Sequence, residues 1–367
     1  MASLSHSQDS VAPLGHWLAV HSYGMSHGHR RWSAACVPLS HMGIGKVSEM
    51  PGKVRELGWS LSRARMFEEC PRRYYYHYYY CQVGYAPDAP EEARLALEMR
   101  SVKGLDMWVG EVVHETIQWA LEQARSGAIP SEQDAKAEAR RRLSEGWLGS
   151  LKQLWRTHPK DAYPNLFEHY YEMSVGAAAT DRLKNKAFLS IGNFTESEIF
   201  KQIAAMPDDR WLPIEKYASF RLDGLLVYVK FDFALREGER LTVYDWKTGK
   251  LSQNETRQLT CYAMYTSAKW NVPIENVKMC AVYLQPALEV NEHPVGGDDV
   301  EDLRLYAKQS FNAMVSCLRF PARNVAAMED FAMTGNLLRC VRCNFRGICE
   351  QGKQASGDLD AIPVVED

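Results

Sequence analysis

The stretch Val243-Tyr244-Asp245-Trp246-Lys247-Thr248-Gly249-Lys250, with Asp232 before it and Gln258 and Tyr262 after it, decides how this chain is read. In a β-strand successive side chains point to opposite faces, so Asp245 and Lys247 project together while Tyr244 and Trp246 point the other way. One face then carries a carboxylate beside an ammonium. That pair suits phosphodiester hydrolysis: a carboxylate can hold a hard divalent cation, and a lysine can steady charge growing on the phosphate or help activate the attacking water. Taken alone, Asp-x-Lys is also an ordinary surface pair at a strand end, so its surroundings decide.

Upstream, residues 225–235 (Leu225-Leu226-Val227-Tyr228-Val229-Lys230-Phe231-Asp232-Phe233-Ala234-Leu235) are rich in β-branched and aromatic side chains, and Glu237-Gly238-Glu239 supplies a turn before the strand Leu241 to Lys247. The expected hairpin brings Asp232 beside Asp245, which is costly unless a cation sits between the two carboxylates. Downstream, residues 254–270 have helical periodicity, and Gln258 and Tyr262 lie one turn apart on one face. Earlier, His114 sits on an amphipathic helical stretch. A buried structural histidine is its ordinary reading there. Glu111 and Glu115 flank it as alternative ligands.

Taken together, Gly110-Glu111-Val112-Val113-His114, Asp232, Asp245-Trp246-Lys247 and Gln258-Leu259-Thr260-Cys261-Tyr262 resemble, in order, the PD-(D/E)XK nuclease superfamily in its RecB-like exonuclease branch. The resemblance covers about residues 58 to 350. It implies that His114, Asp232 and Asp245 hold Mg²⁺ or Mn²⁺, with the Trp246 carbonyl a further ligand. It implies Lys247 as catalytic base or electrostatic stabiliser, and Gln258 and Tyr262 as groups that orient DNA or the lysine. One departure is Val229, where members often place a glycine three residues before the first Asp. That leaves the metal ligands untouched.

Nine cysteines form the second constellation, and no secretory signal accompanies them, so an extracellular disulfide framework is not expected. Three cluster as Cys340-Val341-Arg342-Cys343-Asn344-Phe345-Arg346-Gly347-Ile348-Cys349. A fourth ligand must come from elsewhere: Cys70 is the first candidate and Cys81 its rival. Four thiolates suit zinc as well as iron–sulfur, and spacing does not separate the two. Phe67-Glu68-Glu69-Cys70-Pro71-Arg72-Arg73-Tyr74 resembles the entry helix of those RecB-like nucleases in which one cysteine before the core and a C-x2-C-x5-C set after it share a [4Fe-4S] cluster. The resemblance thus implies a cluster on Cys70, Cys340, Cys343 and Cys349 that ties the N- and C-terminal parts together, with a structural role. Cys36, Cys261, Cys280 and Cys317 read as packing residues.

The 367 residues suffice for a sizeable core, and no apolar run approaches a membrane span, so a cytoplasmic location is expected. A formal net charge of −3 means that nothing global advertises nucleic-acid binding. Arg63, Arg65, Arg72, Arg73 and Arg140 to Arg142 are candidate phosphate contacts, although arginines on helices are more often solvated faces. The aromatic run Tyr74 to Tyr80 offers base stacking, with packing the commoner use of such a helix. Residues 1 to 55 hold six of the eleven histidines and little periodicity, and they read as a disordered extension.

The expected fold class is α/β, a restriction-endonuclease-like mixed central sheet flanked by helices. Helices are expected from Trp59, with Ser62 as first cap, and over 91–123, 132–155 and 166–186, with breaks near Gly104, Gly127 and Pro159. A helical insertion spans about 125–205. Strands follow over 214–247, 277–285 and 287–292, helices over 254–270 and 300–318, the cysteine loop over 336–350, and a mobile tail over 351–367. The function this implies is a metal-dependent DNA nuclease, an exonuclease on DNA ends or single strands in repair, recombination or phage and defence processing. No Walker A motif is present, so unwinding would need a helicase partner. The alternative is a non-catalytic DNA-binding or scaffold subunit of a helicase–nuclease complex, which loss of a ligand or of Lys247 would signal. None is missing.

Overall fold

The computed structural model describes residues 56–159, 162–212, 218–249 and 255–357, so the expected N-terminal extension and Cys36 lie outside the described residues. The helices that matter below are α1 (Leu61–Glu69), α2 (Leu105–Arg125), α3 (Glu132–Leu151), α4 (Ala177–Thr195), α5 (Glu255–Trp270) and α6 (Gly297–Ser316). The strands are β1 (Ala218–Leu222), β2 (Leu225–Val229), β3 (Phe233–Glu237), β4 (Arg240–Lys247), β5 (Val277–Tyr283) and β6 (Glu289–His293).

A four-stranded mixed sheet runs in the order β3-β4-β5-β6. Its outer pairs are antiparallel and its central pair β4/β5 is parallel, with α5 in the crossover. β5 is buried from Met279 to Tyr283, as a strand covered on both faces must be. Leu241 and Val243 of β4 face a core built with Trp59, Phe67, Leu259 and Met279. Trp246 faces a second core with Trp108, Val113, Ile117, Phe194 and Val282. The sheet therefore separates α1, α5 and α6 from α2 and α4, an α/β arrangement with helices on both faces.

The continuous strand expected over residues 225–235 is broken. β2 pairs with β1 in a separate two-stranded sheet, and β3 pairs with β4. The cause is a switch of core. Val227, Val229 and Phe231 pack in the first core but Phe233 and Leu235 in the second, and strict alternation cannot deliver that without an interruption. The interruption falls at Lys230–Asp232, immediately before β3.

Smaller differences have local causes. The break expected near Gly104 divides the 91–123 stretch into Glu91–Met99 and α2. The one expected over 166–186 divides into Phe167–Tyr170 and α4, and the α3 helix ends at Leu151. Ser60, not Ser62, caps α1: its hydroxyl accepts from Arg63 N at 3.2 Å, while Ser62 already lies inside the helix. Residues Glu350–Gly357 are helical, which corrects the mobile tail expected from 351, and the rest of that tail lies outside the described residues.

Candidate active site

Extending the β3/β4 register, in which Phe233 faces Tyr244, by one residue sets Asp232 opposite Asp245. Period-two alternation then places Asp232, Asp245 and Lys247 on the α5 side of the sheet. Asp232 is held from two directions: Trp246 N donates to its Oδ2 at 2.9 Å, and His114 Nδ1 lies 2.9 Å from its Oδ1. His114 arrives from α2. One turn earlier Gly110 lets that helix close on the end of β4, since a Cβ there would lie 3.1 Å from Thr248 Oγ1.

From the other side α5 presents Gln258. Lys247 Nζ donates to Gln258 Oε1 at 2.9 Å, and Gln258 Nε2 donates to the Tyr262 hydroxyl at 2.7 Å. Lys247 Nζ also forms an ion pair with Asp245 Oδ2. Apart from that ion pair, Asp245 Oδ2 is buried without a further hydrogen-bond partner. The structure thus brings together His114, Asp232, Asp245, Lys247, Gln258 and Tyr262, which the sequence separates by almost 150 residues. Glu111 and Glu115 point elsewhere, to Lys103 at 2.6 Å and Arg142 at 2.9 Å.

The family model described as the PD-(D/E)XK nuclease superfamily matches residues 58–350. The chain belongs to the PD-(D/E)XK nuclease superfamily. A search of curated proteins finds no match. Among solved structures, the crystal structure described as "Putative exonuclease" from Eubacterium rectale is similar with a TM-score of 0.38 and 10% identity, covering 84% of this chain and 89% of that one.

PD-(D/E)XK nucleases use divalent ions such as Mg²⁺ or Mn²⁺, and this donor set can be tested for fit. Burial, then the neighbouring Asp232 charge, push the Asp245 carboxyl up to about 6, against the pull of Lys247. Burial would raise Asp232 too, but the His114 charge and hydrogen bond and the Trp246 amide together hold it below the ordinary carboxylate range. Burial works against a charged His114, yet Asp232 and Asp245 outweigh it and raise its pKa. A buried carboxylate, Asp245, beside a half-buried one, Asp232, fits a cation between them. Among the described residues no three His, Cys, Asp or Glu side chains stand ready as a metal-binding group. The Lys247 ammonium supplies positive charge beside Asp245, and His114 adds to it when protonated.

A second cavity, lined by Cys70, Cys340, Cys343 and Cys349 together with Glu69, Arg73, Tyr76 and Phe345, lies apart from this superfamily site. Cys81 is not in its lining; its thiol donates to His77 O at 2.9 Å. Burial pushes Cys343 up to about 11 and raises Cys340, so without a bound group these thiols are protonated. The loop is pinned from outside: Asn344 Nδ2 donates to Met99 O at 2.8 Å, Tyr171 Oη to Asn344 O at 2.8 Å, and the Arg346 guanidinium lies 4.0 Å from the Tyr171 ring centre. These four cysteines converge on one space, yet not closely enough to enclose a single metal ion.

Other candidates are spent on structure. Arg72 Nε donates to Phe331 O, Arg73 bonds Asn344 and Glu69, Arg63 lies over Tyr78 and Tyr228, and Arg140 lies over Phe188. Arg141 and Arg142 pair with Glu138. Tyr74, Tyr75 and Tyr76 are buried, and Tyr74 and Tyr75 pack on Phe331 while Tyr76 stacks on Phe345. Gly110 and Thr248 stand in the quoted stretches but received no role from the sequence, although a glycine one turn before His114 was a signal for close approach. Sequence reasoning also missed Glu255 and Tyr283, which no motif marks.

Proposed function

We propose that this superfamily member is a metal-dependent deoxyribonuclease of the RecB-like branch, an exonuclease acting on DNA ends or single strands. The observation that carries the reading is the connected set Asp232, Asp245, Lys247 and Gln258, with His114 closing it from α2. His114, Asp232 and Asp245, with the Trp246 carbonyl, would hold Mg²⁺ or Mn²⁺. Bound there, such an ion supplies Lewis-acid activation of water and offsets phosphate charge. The chain's own contribution is positional. The Asp232 carboxylate is oriented by the Trp246 amide, and Lys247 is presented by Gln258 so that its ammonium can stabilise the extra negative charge of the attacked phosphate.

A [4Fe-4S] cluster on Cys70, Cys340, Cys343 and Cys349 belongs to the same reading, supported by their shared cavity. A helicase or other DNA-processing partner would supply unwinding. Among the described residues no helix is long and apolar enough to cross a membrane. The test is purified protein incubated with end-labelled single-stranded, duplex and circular DNA in Mg²⁺, Mn²⁺ or chelator. Loss of label from linear substrates only in metal is expected. Metal-independent cleavage, or none by protein with a loaded site, would remove the assignment.

A further inference from the structure

Tyr283 ends β5, and the parallel register pairs it with Lys247 on β4, so the two side chains stand side by side on one face. Leu284 N donates to Lys247 O at 2.9 Å and locks the strand ends together. The Tyr283 hydroxyl donates to Glu255 Oε2, and the phenol is 6% exposed. Glu255 opens α5 three residues before Gln258, hence on the same side of the helix. The bond therefore ties to the sheet the very turn of helix that carries the partner of Lys247.

We propose that the Tyr283–Glu255 hydrogen bond positions the Lys247 ammonium, acting through the first turn of α5 and Gln258. A first helical turn lacks intrahelical partners for its N–H groups and frays readily. Without the tether Gln258 moves with that turn, and Lys247 keeps only Asp245. Burial and the neighbouring Glu255 and Asp245 carboxylates raise the Tyr283 phenol far above its ordinary range, so it remains a donor at any working pH. Tyr283 and Glu255 are positioning residues that act through Gln258 and Lys247.

The experiment compares wild type, Tyr283→Phe, Glu255→Ala and Glu255→Gln in the full chain. Lys247 acylation by an amine-reactive ester is followed by peptide mass spectrometry in chelator, and melting temperature confirms folding. Tyr283→Phe and Glu255→Ala should label Lys247 about fivefold faster, the population change that one ordinary hydrogen bond controls. Glu255→Gln keeps a carbonyl acceptor and should label like wild type. The activity arm rests on the nuclease reading: kcat on end-labelled DNA should fall about tenfold or more in the first two variants, with KM nearly unchanged, and recover in Glu255→Gln. Unchanged labelling in a folded Tyr283→Phe, or a Glu255→Gln that behaves like Glu255→Ala, overturns the proposal. Should Tyr283→Phe not fold, Glu255→Ala decides by the same criterion. A wild type that cleaves no DNA while the labelling pattern holds would remove the nuclease reading and leave the positioning role standing.

Discussion

Trp246 N–H and His114 both approach Asp232, whereas the buried Asp245 Oδ2 has only the ion pair with Lys247. The two carboxylates consequently act on the metal-free fold with opposite sign. Asp245 is raised to about 6, so the fold favours its neutral form; that contribution is present below the unfolded value and lost as pH rises through about 6. Asp232 is lowered, so its charge contributes stability above the unfolded value that is lost as pH falls. In chelator at pH 8, Asp245→Asn should melt above wild type and Asp232→Asn below it, and the Asp245→Asn advantage should shrink towards pH 5. Both should lose nuclease activity by about a hundredfold or more. Thermal denaturation at the two pH values checks the stability arm; an Asp245→Asn protein less stable than wild type at pH 8 would contradict it. The raised His114 and Asp245 also mean that protons compete with a divalent ion. Mn²⁺ should therefore raise the melting temperature more at pH 8 than at pH 5, and an equal shift at both would count against these ligands.

At the scale of elements, α5 shows what was legible. Its Gln258 and Tyr262 lie one turn apart, and that spacing placed them on one face, where they now form a relay to Lys247. Gln258→Ala should slow single-turnover cleavage about tenfold, because Lys247 loses a partner, and Tyr262→Phe should slow it less, because Gln258 still reaches the lysine. Equal rates for Gln258→Ala and wild type would separate the relay from the chemistry. The β4 alternation was legible too, since a period of two is written in Tyr244, Asp245, Trp246 and Lys247 themselves. The break at Lys230–Asp232 was not: both flanks read as strand, and only knowledge of which core each faces reveals the switch. Tyr283 and Glu255 meet through the parallel β4/β5 pairing, a non-local contact that leaves no spacing to recognise. The partners of the arginines were not legible either, because an ion pair or a carbonyl partner is invisible until the chain folds.

Over the whole molecule, Cys70 and the triad Cys340, Cys343 and Cys349 bracket the whole second core and most of the first, and line one cavity. Cys70 ends α1 and caps the following turn, its sulfur accepting from Arg73 N at 3.4 Å, while the loop carrying the triad is docked through Asn344 on Met99 and Arg73. A group ligated by all four would close a loop that contains nearly the whole described fold, and ligation of such remote thiolates couples directly to folding. The burial-raised thiols of Cys340 and Cys343 imply that ligation there releases protons, so assembly should weaken as pH falls. Anaerobically purified wild type should be brown and contain iron. Cys70→Ser, Cys340→Ser, Cys343→Ser and Cys349→Ser should each lose colour and aggregate. Cys81→Ser should remain brown, because Cys81 lies outside the cavity with its thiol on the His77 carbonyl. Zinc in place of iron would change the group but not the ligands, whereas a brown, stable Cys70→Ser protein beside a colourless Cys81→Ser one would move the fourth ligand. Asp232, Asp245 and Lys247 stand in a separate site, so cluster-loss variants that remain soluble should still bind Mn²⁺, and their decline should follow melting temperature rather than a change in metal affinity.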